Sequence, residues 1–365
     1  MAGEYSPLKM AWHYIRDGGL PAVPKQVQVI LSDTCSQDCV FCAYRMSGYT
    51  SAQHFADGPL SGYGHNNPKR QMATDRALRL VDEIARAGCL AIQFTGGGEP
   101  TVQKDHETIF QHALDAGLKC SLVSNGVKWS DRLRSEILPL FSWVRMSIDA
   151  GTSDTYMKIR RCPPGHWDLV LSNAASLASW IRSTKSSCIF GIGWVVTPGN
   201  FTELIEGVRI AKSTGAHNVR LSAMFSTDED RPFRDIYDGI KADIDEARRR
   251  YEGDGFTIND LFGDRIEDLR QGAPDYKTCS YQHYTTYIGG DLKPYRCCVF
   301  AYNDRGMIAG GDLTDRAFDE FWASDERKAD FEKFDARGCG HCQFNVKNRQ
   351  MAYLLSDNPT HKEFP

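Results

Sequence analysis

The stretch "CSQDCVFC", residues 35–42, sets three thiols within eight residues directly behind the apolar run "QVQVILS" (26–32). In a long chain with no export signal, clustered cysteines are metal ligands or redox groups rather than a disulfide framework. The spacing alone leaves two metal readings open. A structural zinc site ordinarily takes four closed ligands from two paired motifs. An iron–sulfur cluster is normally held by four cysteines. No fourth cysteine lies near this loop, so a cubane cluster held here would keep one iron open to an exogenous ligand.

Working outward, short apolar runs alternate with amphipathic stretches from residue 26 to about 225. Strands are predicted at 26–32, 90–96, 119–126, 143–151, 188–197 and 218–225. Helices are predicted at 74–88, with Thr74 as cap and Gly88 as stop, and near 105–116, 130–138, 167–184 and 201–214. Six β units joined by helical crossovers argue for parallel strands. Six is fewer than the eight of a closed barrel, so the expected fold is α/β, a partial (β/α)6 barrel.

The expected organisation is an N-terminal extension (1–25), the barrel (26–227), a helical linker (228–278) and a small cysteine-bearing α+β module with a C-terminal helix (279–365). Residues 43–73 form a long polar insert behind the cysteine loop. Loops of that length in compact domains are functional or disordered, and its Tyr, His and Asn content points to a substrate-facing role. A hairpin is expected in "YTTYIGGDLKPYRCCVF", turning at Gly289–Gly290.

"FTGGGEP" (94–100) follows the second strand and so lies at the same end of the sheet as the cysteine loop. Its glycines allow close approach of a ligand to the backbone, and Glu99 offers a carboxylate to a cation. With these two motifs in this order, residues 26–225 resemble the radical S-adenosylmethionine (SAM) superfamily. The resemblance implies that Cys35, Cys39 and Cys42 hold a [4Fe–4S] cluster whose open iron chelates SAM. It implies reductive cleavage of SAM to a 5′-deoxyadenosyl radical, which takes a hydrogen from the substrate. Phe41 matches the aromatic that precedes the last cysteine, and Gly97, Gly98 and Glu99 would meet the SAM amino group. By the same likeness Ser124 and Asn125 would reach SAM. Ser147 and Asp149 would contact ribose or substrate, and Arg160 would face the SAM carboxylate.

Cys279 and Cys297 are separated by 17 residues, and Cys339 and Cys342 by two. On spacing alone, zinc is an open reading for these four, with His341 also available. Beside the barrel motifs, the order is similar to the twitch form of the SPASM domain, which implies one auxiliary [4Fe–4S] cluster. The likeness selects Cys297 over Cys298. Cys89, Cys120 and Cys188 fall in apolar runs and read as packing residues.

The net charge of −4 gives no bulk electrostatic case for nucleic acid or membrane. No stretch approaches the roughly 18 apolar residues of a membrane span, and a cytoplasmic protein is expected. The resemblance implies a small-molecule or modified-nucleoside substrate and an external electron donor such as flavodoxin or ferredoxin. The first functional expectation is oxidation of a small polar substrate, with the auxiliary cluster taking up an electron. The alternatives are a redox-neutral rearrangement or C–C bond formation, peptide modification and, outside enzymes, a zinc-stabilised binding module. With 34 residues before Cys35, a separate leader-binding domain is not expected, which places the peptide reading behind the others. Candidates for substrate or proton handling are Tyr44, Arg45, His54, His65, Cys162, His166, Arg220 and Ser222.

Overall fold

The computed structural model describes residues 6–44 and 70–356. All six predicted strands are present: β1 (Gln26–Ile30), β2 (Ala91–Thr95), β3 (Lys119–Ser124), β4 (Trp143–Ser147), β5 (Ile189–Val196) and β6 (Asn218–Ala223). They pair in sequence order, all parallel. Helix α1 (Lys9–Asp17) precedes the sheet, and the crossovers are α2 (Thr74–Arg86), α3 (His106–Asp115), α4 (Ser153–Arg160) with α5 (His166–Ser183), and α6 (Leu204–Ser213). Between β3 and β4 the predicted helix at 130–138 is replaced by wide and tight single turns, Leu133–Ile137 and Leu138–Leu140. Pro139 has no amide hydrogen to continue a helical ladder.

Two further parallel strands flank the six. After α7 (Tyr237–Tyr251), β7 (Thr257–Asp260) pairs with β6. After α8 (Phe262–Gln271) and the short α9 (Tyr281–Tyr284), β8 (Thr285–Ile288) pairs with β1 on the opposite edge. β9 (Pro294–Tyr295) then returns antiparallel to β8, completing the expected hairpin. The result is an open nine-stranded sheet, a partial barrel in the order β7-β6-β5-β4-β3-β2-β1-β8-β9. The hairpin expected in a separate C-terminal module thus shares the sheet of the barrel. The chain continues through α10 (Phe318–Ala323), α11 (Asp325–Lys333) and α12 (Asn345–Leu354).

Alternation along the strands sorts the two faces. Val27, Ile92, Phe94, Leu122, Val144, Ile192, Trp194 and Leu221 are fully buried beneath the helices. Trp194 occupies the space where a Cβ on Gly207 of α6 would lie, so that helix approaches the sheet as closely as glycine permits. The other face carries Gln28, Gln93, Ser121 and Trp143, in register across β1 to β4, and beside them Arg145, Ser147 and Arg220. Cys89, Cys120 and Cys188 lie in the core, where burial pushes each thiol up to about 12. They pack as expected. No helix among the described residues is long and apolar enough to cross a membrane.

Candidate active site

The cysteine loop leaves β1 at the C-terminal edge of the sheet and is held from three sides. Asp38 and Val40 donate their amides to the carbonyls of Arg160 (3.0 Å) and Ile159 (2.9 Å) at the end of α4. The amide of Gly98 donates to Ser32 O, and that of Glu99 to Thr34 O, both at 2.9 Å. On the third side, Asp33 N donates to Arg70 O at 2.9 Å. A local turn brings Cys42 N to Cys39 O at 3.0 Å.

Hydrogen-bond donors face the thiols. Asn125 Nδ2 lies 3.8 Å from Cys35 Sγ and donates to Ser36 Oγ at 3.0 Å. Arg160 Nη1 reaches Cys39 Sγ at 3.5 Å and Gln37 Oε1 at 3.0 Å, while Nη2 is paired with Asp149. Arg160 is 4% exposed, and its guanidinium lies 5.7 Å from the Phe41 ring. Burial pushes the Asp149 carboxyl up; Arg160 and the Val195 amide, at 2.5 Å, pull it back. The cation expected to face a SAM carboxylate thus has its contacts on the loop and on Asp149.

Gly97 and Gly98 are required by contacts within the protein. A Cβ on Gly97 would lie 2.8 Å from Asp33 Oδ1 and 3.0 Å from the Tyr302 ring, and one on Gly98 would run into Thr34 O and Asp33. Glu99, 3% exposed, turns inward. Its Oε1 accepts from Thr101 N (3.1 Å), Thr101 Oγ1 (2.8 Å) and Ser124 Oγ (2.7 Å), and its Oε2 from Asn125 N (2.7 Å). Ser124 also accepts from Trp129 Nε1 at 3.0 Å. Glu99 therefore locks the end of β3 and presents Asn125 to the loop. Among the described residues, no three His, Cys, Asp or Glu side chains lie within reach of one metal ion. The fit to an iron–sulfur cluster rests on donor chemistry: three thiols on one loop, met by an amide and a buried guanidinium that favour thiolates and tune a cluster.

The second set of thiols is enclosed. Cys279, Cys297, Cys339 and Cys342 line one pocket, together with Tyr276 and Phe344. Cys342 Sγ accepts from Tyr276 OH at 3.2 Å and from the Phe344 amide at 3.3 Å. Burial pushes the Cys279 thiol up to about 12, with Cys342 and Cys339 adding to it, and drives Cys297 well up. Four thiols lining one pocket, Cys339 buried and the others half-buried, fit by their donor chemistry a cationic centre that would take them as thiolates. Cys298 turns elsewhere: its Sγ accepts from Gln343 Nε2 at 3.0 Å, and it packs with Tyr44 and Tyr287.

Between the two sets runs a polar seam that sequence reasoning missed. Tyr302 OH donates to Asp33, which is 1% exposed, and accepts from Gly290 N at 2.8 Å. Arg70 lies 3.6 Å from Asp33 and 3.8 Å from Asp291, whose carboxylate accepts from Tyr295 OH at 2.7 Å. The Tyr44 and Tyr287 hydroxyls meet at 3.1 Å. The one signal in the sequence was the density of tyrosines and glycines in 281–302. Of the remaining candidates, Cys162 lies close enough to feel the charges of Arg160 and Cys39, and His166 opens α5. Arg220 and Ser222 are on β6. Arg45, His54 and His65 lie outside the described residues.

A sequence model described as the Radical SAM superfamily matches residues 29–240. Mycofactocin maturase MftC of Mycolicibacterium smegmatis is 23% identical over 327 residues, covering 85% of this chain and 74% of its own length. PqqA peptide cyclase of Rhodopseudomonas palustris is 39% identical over 161 residues, 44% of this chain and 37% of that protein. Among solved structures, Streptococcus suis SuiB bound to precursor peptide SuiA shares the fold at a TM-score of 0.62 and 12% identity. It covers 96% of this chain and 77% of its own.

Proposed function

The chain belongs to the radical SAM superfamily, and on that premise we propose that it is an enzyme that modifies a peptide by radical chemistry. The relatives named as a maturase, a cyclase and a dehydratase are enzymes, and the superfamily implies SAM and a [4Fe–4S] cluster. Cys35, Cys39 and Cys42 hold that cluster. When bound, it supplies the electron that cleaves SAM to methionine and a 5′-deoxyadenosyl radical.

The chain's own residues do the rest. Asn125 and Arg160 stabilise Cys35 and Cys39 as thiolates. Glu99 fixes the end of β3, and Gly97 and Gly98 let the turn press against the loop. Phe41 and Ser147 would face SAM, and the buried Asp149 holds Arg160 in place. Cys279, Cys297, Cys339 and Cys342 hold a second [4Fe–4S] cluster in a twitch-type module. With four protein thiolates, such a cluster would have no iron left open to substrate and would supply electron transfer. An external low-potential carrier of the flavodoxin or ferredoxin type reduces the enzyme in the cytoplasm.

The observation that carries the peptide reading is the likeness to PqqA peptide cyclase, at 39% identity. It favours a peptide over the small polar molecule expected from the sequence. The test is anaerobic reconstitution with iron and sulfide counts. Incubation follows with SAM, dithionite and peptides encoded beside this gene, read by mass spectrometry. A mass change in one peptide matched by 5′-deoxyadenosine is the expected result. Turnover of a small polar molecule with no change in any peptide would overturn the substrate assignment, and zinc without iron would overturn the cluster assignment.

A further inference from the structure

The pocket of the C-terminal thiols also holds two arginines. Arg296 and Arg305 line it with Cys279, Cys297, Cys339 and Cys342, and no Asp or Glu is among the described residues of its wall. Both stand against one ring: the Arg296 guanidinium lies 4.1 Å from the centre of Phe334, and that of Arg305 5.0 Å. Arg296 is 4% exposed; its Nη1 donates to Gln282 Oε1 at 2.8 Å, and its Nη2 is paired with Asp330. Arg305 Nη2 donates to the carbonyl of Asp335. A Cβ on Gly338 would lie 2.5 Å from that nitrogen, so the glycine before Cys339 is what admits the guanidinium. The Nε of each arginine is buried without a hydrogen-bond partner among the described residues.

Burying a cation is costly unless negative charge stands beside it. Asp330 meets Arg296 from one side, and the Asp335 carboxylate is taken by Arg337. The four thiols, as thiolates, would supply the rest. Burial pushes the Cys339 thiol up; Arg305, by hydrogen bond and charge, and Arg296, by charge, pull it back. Arg296 is within electrostatic reach of Cys279 and Cys297 as well. Four thiolates around an oxidised cubane leave two net negative charges, and uptake of one electron makes three. Cations fixed beside the sulfurs favour the more negative state, and a partly enclosed site strengthens the effect over its value in water.

We propose that Arg296 and Arg305 are the countercharges of the C-terminal centre, positioning residues that raise its reduction potential and bias it toward taking up an electron. The inference rests on the second-cluster reading above and is independent of which substrate is used.

The test uses the full chain carrying Cys35→Ala, Cys39→Ala and Cys42→Ala, so that anaerobic reconstitution loads the C-terminal site alone with about four irons. A redox titration followed by EPR reads its potential. At a fixed applied potential, Arg305→Gln shifts the ratio of reduced to oxidised centre about tenfold toward oxidised, a fall of about 59 mV for one electron. Arg296→Gln shifts it the same way. That variant strands the Asp330 carboxylate, whereas Arg305 hydrogen-bonds a carbonyl, so Arg305→Gln decides the matter if Arg296→Gln does not fold. Arg305→Lys keeps most of the wild-type potential, a rescue by charge that a purely structural role would not give.

An unchanged potential in Arg305→Gln at full iron content would overturn the proposal and leave the cluster reading standing. So would an equal shift in Arg337→Gln, whose exposed guanidinium pairs with Asp335, since any nearby charge would then suffice. Zinc, or no iron, at the C-terminal site with both arginines in place would overturn the proposal and the cluster reading together.

Discussion

The loop of Cys35, Cys39 and Cys42 and the pocket of Cys279, Cys297, Cys339 and Cys342 surround their thiols differently. The loop thiols are half-buried and face polar donors, an amide from β3 and a guanidinium from α4. The pocket thiols, Cys339 buried and the other three half-buried, share their pocket with aromatic rings and with Arg296 and Arg305, and a tyrosine hydroxyl and a backbone amide donate to Cys342. Three thiols from one loop leave room for a further ligand; four thiols drawn from three separated segments do not. The difference teaches that thiol count sets which site stays open to a further ligand, while the surroundings tune the thiols of each.

The largest effect that sharpens this contrast comes from the cysteines themselves. Cys39→Ala abolishes SAM cleavage and removes about four irons, those of one cubane. Cys297→Ala also removes about four irons yet leaves uncoupled SAM cleavage in place. Iron counting and a 5′-deoxyadenosine assay read both. Cys298→Ala keeps the full iron content, because that thiol lies against Gln343, Tyr44 and Tyr287; loss of iron there would break the contrast.

Next is Arg160→Gln, which leaves Asp149 buried without its cation. Breaking a buried pair in this way costs about 3–5 kcal/mol, read as a fall in urea midpoint. The loop thiols lose a donor at the same time, and cluster loading falls by about tenfold or more. Tyr302→Phe removes a hydrogen bond to the buried Asp33 carboxylate, a loss of about 2 kcal/mol. Because that bond ties the C-terminal segment to the base of the cysteine loop, the cluster EPR signal of the loop shifts as well. An unaltered signal would show that the two regions are independent.

The smallest effect is a pH dependence beside the thiol pocket. Burial lowers His283 to about 4, against the ordinary 6.5, with Arg327 adding to it. The folded state therefore keeps the ring neutral while the unfolded chain takes up a proton below 6.5. Stability is full above that pH and falls as pH drops from 6.5 toward 4. Thermal melts across this window are flatter for His283→Phe, whose ring still packs on Phe331.

Much of this was legible in the residues. Short apolar runs mark all six central strands, because one face of each lies under helices and must be apolar. Three cysteines followed by "GGGEP" place the reactive end of the sheet without any coordinates. β7 escaped notice because four residues, Thr257–Asp260, are too short to show a period. The hairpin of β8 was visible, but its partner β1 lies more than 250 residues away, and nothing local specifies such a pairing.

The sequence alone therefore determined the barrel and the identity of the loop thiols, since both depend on spacing and local pattern. Tertiary structure decided the rest: that Glu99 turns inward, that β8 joins the sheet beside β1, and that Tyr302 reaches Asp33. These depend on which side chains meet after distant segments pack, and packing is a property of the whole chain.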